Sequence, residues 1–221
     1  MFPNATLASQ HALVSHYFQF ARRTVMEAES LPPDSDRPTF IAAAIILVVG
    51  AVEAYLNIVG RLWVEQVPDF EHADRIRKDL ARRVPFGTKL RTWPEMLFGQ
   101  PLALDAGTPK EFVELVELRN YLMHFTSTYD TLQVENVPIR GLTDMTRFYQ
   151  LDAPAGRSAV DLAESTIFEL IRLQGLSEER VLMAGTMWSG RPAYPQELES
   201  ARARDRSSAP SADKGSGLTS A

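Results

Sequence analysis

The stretch TPKEFVELVELRNYLMH, from Thr108 to His124, decides how the chain is read. Thr108 and Glu111 have the spacing of a capping box, and Pro109 sits at the first helical position, where its missing N–H costs nothing. Phe112, Leu115, Val116, Leu122 and Met123 recur at three- and four-residue steps, the period of a helix with one buried face. Arg119 interrupts that stripe where a leucine is expected. At about 100° per residue, Asn120 lies about 100° round the helix from Arg119 and His124 about 140° round. Three polar groups thus border one apolar face. A guanidinium on a buried side is costly unless an anion meets it, so Arg119, Asn120 and His124 form a candidate site.

Upstream, Phe40 to Val52 is apolar or glycine throughout. It is too short for a bilayer core, and Glu53 and Asn57 follow at once, so a buried core helix over residues 38–66 is expected and no membrane partner. Residues 5–30 read as a first helix with Leu13, Tyr17, Phe18, Phe20, Ala21 and Val25 as its stripe and Arg22 and Arg23 off it. The run from Leu31 to Asp36 breaks it. Shorter helices are expected near 71–83 and 88–98, and a last one from Arg157 to Gln174. Thr126 to Gly141, rich in β-branched residues with isolated prolines, fits a short hairpin or an extended loop equally. Trp93, Phe98 and Trp188 read as packing anchors and Met123 as core. From Pro195 large apolar side chains all but vanish, and such a segment cannot offset its ordering entropy. The expectation is an all-α bundle of four to five main helices over residues 1–194, then a disordered tail over residues 195–221.

The 221 residues are 45% apolar and 23% charged, which suits one soluble domain. The chain has no cysteine, which excludes disulfides, thiolate nucleophiles and Cys-ligated zinc. Its four histidines form no HExxH-like spacing, so no metal and no cofactor are expected. A net charge of −5 argues against a protein that coats nucleic acid over its whole surface. Charge is uneven, however. Between His72 and Arg91, Arg75, Arg77, Lys78, Arg82, Arg83, Lys89 and Arg91 face only Asp74 and Asp79. This strip is either a solvated helix surface or a track for a polynucleotide backbone, with Arg82 and Arg83 as substrate-binding candidates. The first residues lack a basic region followed by an apolar run, and a cytoplasmic location is expected.

An Arg, a polar residue directly after it and a His five positions on resembles the ribonuclease motif of HEPN domains, small all-α proteins named for higher eukaryotes and prokaryotes nucleotide-binding. Val52-Glu53-Ala54-Tyr55-Leu56-Asn57 looks like the Glu- and Asn-bearing helix of such sequences, and Lys89 to Pro94 is similar to a Trp-bearing connector of bacterial members. The resemblance spans residues 5–175. It implies a HEPN-like bundle in which two subunits pair so that both motif helices line one cleft. It also implies RNA cleavage to a 2′,3′-cyclic phosphate, with Arg119, Asn120 and His124 as the catalytic set.

The residue chemistry is compatible with those roles. A histidine exchanges protons near neutrality and suits removal of the 2′-OH proton, while an Arg fork holds two phosphate oxygens without losing its charge. Glu53 and Asn57, one helical turn apart, either line the same cleft or belong to a structural hydrogen-bond network. Three functions therefore stand as expectations. One is a metal-independent endoribonuclease, a toxin or defence effector with RNA as substrate and an antitoxin protein as partner. A second is an inactive HEPN-like protein binding RNA, a nucleotide or a protein. The third is a purely structural helical adaptor that dimerises through the second helix, with Arg119 paired within its own subunit to Glu53 or Glu114. The unbroken Arg119, Asn120 and His124 set favours the first over the second, and the distance from Arg119 to its nearest carboxylate separates the third from the other two.

Overall fold

A computed structural model of the chain describes residues 10–32, 35–67, 69–124, 130–134, 137–142 and 145–208; for His124, Ser208 and the strand residues it describes the backbone alone. The helices are α1 (Ala12–Ser30), α2 (Arg37–Gln66), α3 (Ala73–Ala81), α4 (Phe86–Phe98), α5 (Gly107–His124), α6 (Thr146–Tyr149), α7 (Ala153–Arg172), α8 (Glu178–Ser189) and α9 (Pro195–Ser208). Strands β1 (Asp130–Val134) and β2 (Val137–Leu142) pair antiparallel, with Val134 opposite Val137 and a register shift between Asp130 and Leu132. The segment after the motif helix is thus a hairpin.

At 1.5 Å per residue, the 30 residues of α2 form a rod about 45 Å long. It is long and apolar enough to cross a membrane, yet α1, α3, α4, α5, α6 and α7 all pack on it. Ile45, Val48, Val49, Val52, Tyr55 and Leu56 are buried in that packing. Small residues set how closely the neighbours approach. A Cβ on Gly60 would lie 2.7 Å from Cζ3 of Trp93, so α4 can close on α2 only over a glycine. Gly156 of α7 stands in the same relation to Ile41, at 2.7 Å.

The closure over Gly60 orients the α3–α4 unit. Trp93 is fully buried, and its Nε1 donates to Asp79 Oδ2 at 3.2 Å, while Arg75 pairs with Asp79 Oδ1 at 3.1 Å. A carboxylate that is only 4% exposed is thereby satisfied, and the turn between α3 and α4 is fixed beside α2 and α5.

Several expectations need correction. Beyond the expected helices, the described residues include α6, a single turn, and α8 and α9, whose apolar signatures are weak, so the described helices number nine rather than four or five. The expected disordered tail does not begin at 195. Pro195–Ser208 is α9, held to α8 by charge rather than by apolar area. Ala201 is its buried anchor, Arg202 Nη2 lies 2.6 Å from Glu179 Oε1, and the Asp205 carboxylate accepts from the backbone N–H of Glu178 at 2.7 Å and of Glu179 at 3.1 Å. Asp205 thus caps the start of α8 from another helix, where a negative charge also meets the positive end of the dipole. The rest of the expected tail, 209–221, lies outside the described residues.

In α1 the buried stripe is Val14, Phe18, Ala21, Val25 and Ala28; Leu13 and Phe20, expected inside, are 49% and 59% exposed. Met123, expected in the core, is half exposed. Helix α5 starts at Gly107, so Thr108 lies inside it rather than at its cap.

Candidate functional site

Three helices bring polar groups to one place against the core. Helix α2 supplies Glu53 and Asn57 one turn apart, α4 supplies Lys89, and α5 supplies Arg119 and Asn120. Arg119 sits between buried Val116 and Leu122, as its place on the apolar stripe requires, and its side chain is 19% exposed. Its Nη2 donates to Glu53 Oε2 at 3.4 Å, and its other N–H groups have no partner among the described residues. One long contact is a weak hold for a guanidinium, which pairs best through two parallel bonds.

The second oxygen of Glu53, Oε1, lies 3.8 Å from Lys89 Nζ. Lys89 is 4% exposed, donates to Asn57 Oδ1 at 2.9 Å, and sits 5.5 Å from the centroid of the Trp93 ring. A buried ammonium needs such partners. Asn57 therefore serves the lysine, and Glu53 stands between two cations.

Beside this network opens a cavity of about 440 Å3. Glu53, Arg119 and Asn120 form one side of it and residues 83–87, the turn into α4, the other. Arg83 and Arg119 outnumber Glu53, whose charge Lys89 already offsets from behind, so the local field favours an anion. Asn120 is exposed, with its amide unpartnered among the described residues.

Of the residues singled out in the sequence, Glu53, Arg83, Arg119 and Asn120 meet at this cavity. Asn57 lies behind it, and Arg82 is exposed without lining it. His124 is the last residue of α5, and its side chain lies outside the described residues; five helical positions place its Cα about 7.5 Å along the axis from that of Arg119. In the sequence Lys89 stands in a basic strip and at the start of the Trp-bearing connector, and neither place marks it as a member of the site. The signal that marks it is its place on the stripe Phe86, Leu90, Trp93 and Leu97 of α4, the same signature that marked Arg119 on α5.

A larger cavity, about 730 Å3, opens among α1, α7, α8 and α9. Arg22, read as lying off the stripe of α1, is drawn in: Nη2 pairs with Glu164 Oε2 at 2.6 Å and Nη1 donates to the Ser189 carbonyl at 2.7 Å. Arg191 pairs with the other oxygen of Glu164 and forks onto Glu197 through two bonds of 2.9 Å. Those contacts to Glu197 and Glu164 raise the Arg191 pKa against the opposing effect of burial, and the Arg191 and Tyr194 bonds hold the Glu197 carboxyl below its ordinary range. Four arginines here meet four carboxylates, so charge is compensated internally and the cluster clasps α9 to the bundle. No group of three or more His, Asp or Glu side chains placed to hold a metal ion occurs among the described residues.

Comparison with protein-family models, curated proteins and solved structures finds no match for the chain.

Proposed function

We propose that this protein is a metal-independent endoribonuclease of HEPN type, acting as a homodimer in the cytoplasm as a toxin or defence effector. The observation that supports the reading best is the placing of Arg119 and Asn120 on one wall of a cation-rich cavity, on the same helix as His124. In the reaction His124 takes the proton of a ribose 2′-OH and the oxygen attacks the adjacent phosphorus. The P–O5′ bond breaks, the departing oxygen takes up a proton, and a 2′,3′-cyclic phosphate remains. Arg119 carries the charge that develops on the non-bridging oxygens. Its single long bond to Glu53 is one a phosphate displaces readily.

A homodimer suits the same surface. Ile46, Leu47, Ala54 and Ile58 of α2 stay half-covered in one chain, and a two-fold pairing there would bring two Arg119 side chains to one cleft. An antitoxin protein would then act by covering that cleft.

The Glu53 contact favours a second reading, in which the pair staples α2 to α5 and the fold binds a partner without catalysis. Incubating purified protein with total RNA in EDTA decides between them. Cleavage by the wild type that disappears in His124→Ala and Arg119→Ala is expected from the first reading; intact RNA in every sample overturns it.

A further inference from the structure

The wall of the 440 Å3 cavity opposite Arg119 is built from a turn with an unusual backbone. Arg83 has φ +51°, in the left-handed region that favours glycine. A non-glycine residue there carries backbone strain, and such outliers cluster at active sites and ligand clamps. Arg83 reaches the cavity, is exposed, and has no ion pair among the described residues. The adjoining first turn of α4 is equally unsatisfied. Pro85 occupies its cap without a side-chain acceptor, no acidic residue lies in the turn, and a Cβ on Gly87 would meet nothing within 4 Å. The amides of Thr88 and Lys89 donate to the Pro85 carbonyl, whereas those of Phe86 and Gly87 find no acceptor among the described residues.

Resting on the ribonuclease reading, we propose that Arg83 and Arg119 bracket a two-phosphate subsite for single-stranded RNA. Arg119 takes the scissile phosphate, and Arg83, backed by the open amides of α4, takes a neighbouring one. Single-stranded RNA fits better than a duplex because a flexible backbone can turn two successive phosphates into one recess between helices. Asn120, on the Arg119 side, donates its amide to the sugar-phosphate between them.

The test is fluorescence anisotropy with a 2′-O-methyl single-stranded oligoribonucleotide, which has no free 2′-OH and cannot be cut. Arg83→Gly should weaken binding about tenfold and lower the slope of log K against log salt by about 0.7, the loss of one single-strand phosphate contact. The glycine suits the φ at 83, so this variant should melt no lower than wild type. Arg83→Lys should recover part of the affinity. Arg77→Ala, which removes an exposed arginine paired with Asp74 away from the cavity, should change binding less than twofold. Wild-type affinity in Arg83→Gly, or an equal loss in Arg77→Ala, overturns the subsite. Cleavage of unmodified RNA is scored separately: the expected binding pattern without cleavage keeps the subsite and removes the ribonuclease reading, whereas cleavage with unaltered binding in Arg83→Gly removes the subsite alone.

Discussion

Lys89 and Arg119 share a single carboxylate, Lys89 Nζ lying 3.8 Å from Glu53 Oε1 and Arg119 Nη2 lying 3.4 Å from Glu53 Oε2. The buried lysine keeps Glu53 occupied from the core side, so the arginine is held by one oxygen and keeps its remaining N–H groups for a ligand.

Glu53→Gln separates the two cations in their dependence on that carboxylate. Lys89 would keep only Asn57 as a close partner, and the fold should lose about 1–3 kcal/mol, the cost of leaving a buried charged donor under-satisfied. Arg119 would at the same time be freed for anions, and oligonucleotide binding should tighten. Thermal melting and anisotropy on the same preparation check both; an unchanged melting temperature would show that Lys89 does not rely on Glu53.

His124→Ala should lower RNA cleavage on the order of 10²–10⁴-fold, the usual contribution of a general base, while the melting temperature stays put. Equal cleavage rates for mutant and wild type would remove His124 from the reaction.

Arg119→Lys should not rescue the cleavage lost in Arg119→Ala, because an ammonium keeps the charge and loses the fork. Full activity in the lysine variant would mean that charge alone suffices.

Gly60→Ala should destabilise by about 1–3 kcal/mol through overpacking against Trp93, whose Cζ3 lies 2.7 Å from the added carbon. Chemical denaturation reads the loss directly, and wild-type stability would place α4 farther from α2 than described here.

Acid should release α9 before the rest of the bundle. The backbone N–H groups of Glu179 and Glu178 hold the Asp205 carboxyl below its ordinary value of 3.8, and Arg191 with the Tyr194 N–H holds that of Glu197 below 4.5. Depressed folded values mean that this stabilisation is present above the ordinary values of 3.8 and 4.5 and is lost as pH falls through the lower folded value of each group. Limited proteolysis between pH 6 and pH 3 should show cleavage near α9 while α2 stays protected; simultaneous loss of both would refute the order.

The sequence made α2, α5 and α7 legible because each carries a long apolar pattern that only a packed helix satisfies. It also brought Glu53, Arg83, Arg119 and Asn120 forward as polar residues in unusual places, and the fold gathers them. It misjudged α1, where Leu13 and Phe20 compete with Val14 and Phe18 for the inward face and only the neighbours decide between them. It missed α8, a short helix whose Val181 and Leu182 are buried and whose Trp188 meets Tyr55, and α9, whose position depends on Glu164, Arg191, Glu197 and Asp205 finding their partners across the fold. Charge pairing between distant helices leaves no period to read.

The clasp on α9 gives the molecule two kinds of cohesion. Around α2 the packing answers to the exclusion of water from apolar surface, which moderate salt barely weakens. At α9 one buried alanine is joined by ion pairs and by a carboxylate on two backbone amides, and ions in solution compete for all of these. Raising the ionic strength should therefore loosen α9 as a unit before it disturbs the apolar interior.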